Sequence, residues 1–219
     1  MSRVLAVACL LTVPLLAVGA QAEPITLHLW CELEPMIAEE EYPLPREEAY
    51  RRILEEARQL LSAMIYGLEF SYVPGDRERR ISENLTLTPK AEIPWGDTNL
   101  KVLALETRNK RLYARLEYSL QDYQAARREA WGSNVLPLAG GRGEGDLFGG
   151  TSEKRHSLED AVRNAIRDHL RPALFNKPRE VTGELLIWQE PAVVISAGRY
   201  VTEVSLKLKV REVRAYSIF

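Results

Sequence analysis

The chain has 219 residues, 29 basic and 31 acidic, for a formal net charge of −2, and that balance excludes nucleic-acid binding driven by bulk charge. It is long enough for one large domain or two small ones with a real core. Of its 2 cysteines, Cys9 and Cys31, the first falls in a segment expected to be removed, which excludes an intrachain disulfide framework.

Met1-Ser2-Arg3 precede an apolar run from Val4 to Val18, and Ala20-Gln21-Ala22 follow. One positive charge, a run of this length and an A-x-A site predict a secretory signal over residues 1–22. The run is short of the roughly 18 or more apolar residues of a spanning helix, and Pro14 interrupts it. Cys9 has almost no apolar segment before it, which argues against a lipid-modified cysteine. Cleavage removes Arg3 and no acid, so 28 basic residues (29 − 1) face 31 acidic ones and the net charge becomes −3. The expectation is a periplasmic or secreted protein with no transmembrane span after cleavage.

Ile25, Leu27, Leu29, Cys31 and Leu33 form a strict period-2 row, a strand with Cys31 facing the core as a small hydrophobe. The acidic run Glu34, Glu39, Glu40, Glu41 lacks the Asp/Asn alternation and glycine of a calcium loop, so it reads as a solvated face and not as a metal site. From Arg46 to Tyr66, residues Tyr50, Ile53, Leu54, Ala57, Leu60, Leu61, Met64 and Ile65 recur at helical steps, with Arg51, Arg52, Glu55, Glu56, Arg58 and Gln59 opposite. Pro45 and the first-turn Glu47 and Glu48 suit the helix start.

Leu68 to Val73 is a strand ending at Pro74-Gly75-Asp76. Leu85 and Leu87, bounded by Pro89 and Pro94, predict an edge piece, and Asn84-Leu85-Thr86 matches a glycosylation acceptor. Leu100–Leu105 and Leu112–Leu120 around Thr107-Arg108-Asn109-Lys110 predict a hairpin. Tyr123 to Trp131 fits either a strand extension or a short helix. Six of the eleven residues from Gly140 to Gly150 are glycine. No strand leads directly into them and no Walker lysine follows, which excludes a phosphate loop and leaves a flexible loop or linker with Phe148 as a docking point. Ser157 is read as the cap of a second helix carrying Leu158, Ala161, Val162, Ala165, Ile166, His169 and Leu170. Gly183–Trp188, Ala192–Ser196 and Tyr200–Tyr216 complete the chain as strands. The last sets Val204, Leu206, Leu208 and Val210 on one face and Ser205, Lys207, Lys209 and Arg211 on the other, the lysines protecting an exposed face or edge.

The predicted class is α+β, two helix-plus-antiparallel-sheet units with helices on sheet faces: 23–139 and 151–219, joined by 140–150, or one cooperative domain over 23–219. The order helix, strand, hairpin occurs in both, the pattern of an internal duplication. The helix Glu48-Ala49 to Met64, followed by an antiparallel sheet in an exported chain, resembles envelope domains found in the N-terminal part of flagellar assembly protein T and in small outer-membrane lipoproteins of similar build. The likeness covers Arg46–Leu120 and Ser157–Val210, and it implies a non-catalytic assembly or scaffold role in the periplasm.

His28, His156 and His169 are expected on different elements, with no H-E-x-x-H, G-x-S-x-G or paired-cysteine spacing. No catalytic, cofactor-binding or metal-binding residue is nominated. The terminal Phe219 after alternating strands raises an outer-membrane barrel, which the polar alternates Ser217 and Arg211 and the two helices oppose. The expected function is an exported envelope protein that binds or scaffolds a protein partner. The alternatives are a small-ligand binder, a periplasmic hydrolase or an outer-membrane-associated protein.

Overall fold

The computed structural model describes residues 22–34, 43–172, 174 and 177–216. The signal reading, apart from Ala22, the acids Glu39–Glu41 and the terminal Phe219 fall outside the described residues. Helix α1, Arg46–Ile65, forms as its periodicity predicts, with Ala49, Ile53, Ala57, Leu60, Leu61, Met64 and Ile65 buried. It ends because Gly67, at φ +78°, turns the chain into strand β2, Leu68–Val73. A Cβ at Gly67 would lie 2.6 Å from the Leu185 carbonyl oxygen, so the turn is tight against the neighbouring strand.

One sheet has three antiparallel strands in the order β1, Ile25–Glu32; β5, Arg111–Tyr118; β4, Leu100–Arg108. Leu27, Leu29, Leu112, Ala114 and Leu116 are all 5% exposed or less, and α1 packs on β1 and β5. The expected hairpin is thus present, although β5 stops at Tyr118. The other sheet runs β3, Asn84–Pro89; β2; β7, Glu180–Ile187; β9, Arg199–Arg214; β6, Leu138–Asp146, with β8, Ala192–Ser196, also paired to β9. β3 sits at its edge, as its prolines require.

Helix α2, Asp122–Trp131, settles the open choice over Tyr123–Trp131 in favour of a helix. Gln124, 1% exposed, holds it in place: its amide donates to the hydroxyls of Tyr66 at 2.8 Å and Tyr118 at 3.0 Å, and its oxygen accepts from Gln121 N. Helix α3, Thr151–Leu170, crosses β6 and β9.

The glycine-rich segment corrects the expectation of a loop or linker. Residues 138–146 are β6, paired along its whole length with β9 from Asp146↔Arg199 to Leu138↔Lys207. Gly141, Gly143 and Gly145 all face α3 at a distance no side chain permits. A Cβ at Gly143 would lie 2.2 Å from both Ala161 N and Ser157 O, one at Gly141 2.1 Å from Ala161 O, and one at Gly145 2.2 Å from Glu153 O. The glycines are a groove for the helix backbone, not a hinge. The outer edge of β6 is closed by the same helix: Glu144 N donates to Asp160 at 3.3 Å, Asp146 N to Glu153 at 2.9 Å, and Asn164 donates to Arg142 O at 2.7 Å. This removes a free strand edge.

Ser157 is likewise not a cap. The helix begins at Thr151, and Ser157 is a fully buried interior residue whose hydroxyl meets Lys154 O at 2.7 Å and Thr202 Oγ1 at 2.6 Å.

The two halves of the chain share one sheet, since β2 pairs with β7 (Phe70↔Gly183) across the 140–150 segment. The helix, strand, hairpin order does not repeat in space: β4 and β5 join β1, whereas β8 and β9 join the sheet of β2. Lys207, placed by its alternation on an exposed face, is 9% exposed, donates to Leu136 O at 3.1 Å and lies 5.5 Å from the Trp188 ring. A register shift at Thr182/Gly183 leaves Arg211 as the extra residue of a bulge, and Val210 emerges at 38% exposure.

Candidate binding cleft

The chemically versatile side chains are scattered. His28 is exposed on β1, its Nδ1 3.3 Å from Glu190, while His156 and His169 lie on different turns of α3. Cys31 is buried as predicted, and burial pushes its thiol up to about 11, which keeps it protonated and a poor nucleophile near neutral pH. Among the described residues, no group of three or more His, Cys, Asp or Glu could hold a metal ion. Phe148 is 62% exposed, and Asn84 is exposed at the start of β3.

A cleft of about 690 Å³ lies between α1 and α3. Its floor is apolar, built from Leu60 and Ala63 of α1, Leu68 of β2, Leu87 of β3, Val162 of α3 and Ile187 of β7. α1 lies on β1, β5 and β7 and α3 on β6 and β9, and the cleft lies between the two helices. The polar face of α1 becomes its wall. Arg51 and Arg52 share Glu48, at 2.8 and 3.0 Å, and those hydrogen bonds lower the Glu48 carboxyl to about 2. Arg58 bonds Glu55 at 2.8 Å and Glu92 at 2.7 Å, and the Arg58 hydrogen bond holds Glu55 below the usual carboxylate range.

One side of the cleft is braced by an aromatic and ionic assembly. Lys154 Nζ donates to Trp30 O and Glu56, both at 2.8 Å, so it ties α3 to β1 and α1 together. The same ammonium stands 4.4 Å from the Trp30 ring, and the Arg111 guanidinium stands 4.7 Å from it. Tyr200 stacks near Trp30, with centroids 6.3 Å apart, and donates to Glu32 at 2.5 Å. Burial first, and then the Glu32 hydrogen bond, raise the Tyr200 hydroxyl well above its ordinary value. Two cations over one indole join β1, β5 and α3 along this side of the cleft. A second, smaller groove of about 300 Å³ lies between Tyr50 and Leu54 of α1 and Trp95, Leu100 and Val102.

Among the described residues that line the cleft, the side chains of Cys31, Ser62 and Ser152 each donate to a backbone carbonyl and not to a basic side chain. What the cleft offers is shape, an apolar floor and charges of both signs at its mouth. Sequence reasoning placed Arg51, Arg52, Glu55, Glu56, Arg58 and Gln59 on a solvent face and did not nominate them. The only signal was that this face carries mixed charge along its whole length.

A protein-family model matches residues 13–216. The chain is 27% identical over 197 residues to an uncharacterized protein of Treponema pallidum (strain Nichols), covering 89% of this chain and 83% of that one. No solved structure matches. No helix among the described residues is long and apolar enough to cross a membrane.

Proposed function

The chain belongs to the family whose model matches residues 13–216, and from that premise we propose that it is an exported, non-catalytic envelope protein that binds or scaffolds a protein partner, with the α1–α3 cleft as its docking face. The observation that carries this reading is a cleft between two charged helices, with Leu68 and Leu87 half-buried along it, braced by the Trp30–Lys154–Glu56 assembly. Its volume is about 690 Å³. The export part rests on the residues: Arg3, the apolar run Val4–Val18 and Ala20-Gln21-Ala22.

Fractionation of the native cells, followed by crosslinking and mass spectrometry, tests both parts. The expected result is recovery in the soluble envelope fraction with one recurrent protein crosslinked to α1 or α3. Recovery in the cytosol would overturn export. Recovery as a free monomer without crosslinks would overturn scaffolding and favour a small-ligand binder.

A further inference from the structure

We propose that the outer edge of β4 seats a second copy of this chain, the two β4 strands pairing antiparallel about a two-fold axis between Leu103 and Ala104. Among the described residues, β4 ends the three-stranded sheet, with no strand beyond it and no side chain bonded to its backbone from Lys101 to Arg108. The opposite edge of the same sheet is covered, since Glu190 accepts from His28 N and Lys154 donates to Trp30 O on β1. An uncovered edge of this length is a template for another strand. It is also apolar: Leu103 is 46% exposed and Leu105 40%, and the exposed Trp95 lines the small groove with Leu100 and Val102.

The register with β5 sets the face of each β4 side chain. Leu100, Val102, Leu105 and Thr107 lie opposite Tyr118, Leu116, Ala114 and Leu112, all 3% exposed or less, and so take the core face. Lys101, Ala104, Glu106 and Arg108 lie opposite Glu117, Arg115, Tyr113 and Arg111 and take the other. The register shift at Leu103 breaks the alternation, so Lys101 and Glu106 share a face although they are five residues apart. A regular strand laid along β4 would match it on one side of Leu103 and fall out of phase on the other.

A second copy carries the same shift at the same place. One register then matches the faces throughout: Leu100 opposite Thr107, Lys101 opposite Glu106 and Val102 opposite Leu105, each pair occurring twice, with Leu103 opposite Ala104 at the axis. Moving one strand by one residue sets Lys101 opposite Thr107, on the wrong face, and moving it by two sets Lys101 opposite Arg108, like against like. Lys101 and Glu106 are exposed, and neither is in an ion pair among the described residues. Each would gain its counter-ion from the other copy, and Leu105 of each copy would meet Val102 at the groove that Trp95 lines. The contact is isologous and uses the free edge of both sheets, so it closes at two copies as one six-stranded sheet.

Sedimentation velocity over a concentration series, on the full chain purified from its native cells, tests this. The expected result is a monomer–dimer equilibrium. Lys101→Glu and Glu106→Lys each set like charges opposite one another twice and weaken the dimer about tenfold, and the two together restore it. Both positions are exposed, and circular dichroism of each variant checks its fold. A chain carrying Lys101→Cys with Glu106→Cys forms a covalent dimer on oxidation, and neither single variant does, because the two sites lie about 17 Å apart along one strand. A monomer at every concentration would overturn the proposal. So would a dimer that both charge swaps leave unchanged, or a double cysteine variant that forms no covalent dimer.

Discussion

Replacing Gly143 by alanine tests the central claim about the glycine-rich strand. The added Cβ would sit 2.2 Å from Ala161 N and from Ser157 O, against 3.4 Å for the start of ordinary contact, so α3 and β6 must part by about 1.2 Å (3.4 − 2.2). Both clashing atoms are backbone, and neither can rotate away. The cost falls at the upper end of overpacking, about 3 kcal/mol. Gly140→Ala is the matched control, since its Cβ meets nothing nearer than Val204 O at 3.9 Å, and a change within about 0.5 kcal/mol is expected. Urea denaturation followed by far-ultraviolet circular dichroism measures both, and an unchanged m value keeps the comparison valid. Trimming the helix with Ala161→Gly does not rescue Gly143→Ala, because the obstruction is not a side chain. The reasoning is refuted if Gly143→Ala lies within about 0.5 kcal/mol of the parent, or if Gly140→Ala is equally destabilised.

Ser157→Ala leaves the buried Thr202 hydroxyl without its 2.6 Å partner and should cost about 1–2 kcal/mol; adding Thr202→Val should recover part of that loss, and strict additivity in denaturant titrations would deny the coupling. Lys154→Met keeps the stem but removes the bonds to Trp30 O and Glu56 and the cation over the indole, for a loss of about 2 kcal/mol and a shift in tryptophan emission; an unmoved emission spectrum would contradict the brace. Burial raises the Cys31 thiol to about 11 and the Tyr118 hydroxyl to about 12, and it also raises Tyr72 and Tyr200. The unfolded chain releases these protons from about pH 8.5 to 10 while the native chain still holds them, so stability falls as pH rises through and beyond that range. Melting temperatures should be level from about pH 6 to 8.5 and decline above it, less steeply in Tyr200→Phe; a flat profile to about pH 11 would sink the assignment.

Periodicity made much of this fold legible. α1, β1 and the β4–β5 hairpin each present apolar side chains at one spacing to one surface, and the sequence shows that spacing directly. β6 escaped because its inward face is Gly141, Gly143 and Gly145: the face is buried by helix backbone, so no apolar side chain marks its period. The start of α3 was misplaced for a related reason. Thr151 to His156 carry no apolar stripe, and the turn is held instead by contacts such as Lys154 to Trp30 O. The cleft was hidden most completely, because α1, α3 and six strands contribute to it and only the tertiary placement of α1 turns its charged face into a wall.

β9 is the one strand that β6, β7 and β8 all require, and it occupies residues 199–214. Phe70 finds Gly183 across 113 residues (183 − 70), and that pair stays without its next neighbour until the last strand arrives. Closure of the large sheet is therefore a late, non-local event, slow compared with forming α1. The sheet cannot close without residues 199–214, and a chain cut before them would leave β6, β7 and β8 without the strand they pair with.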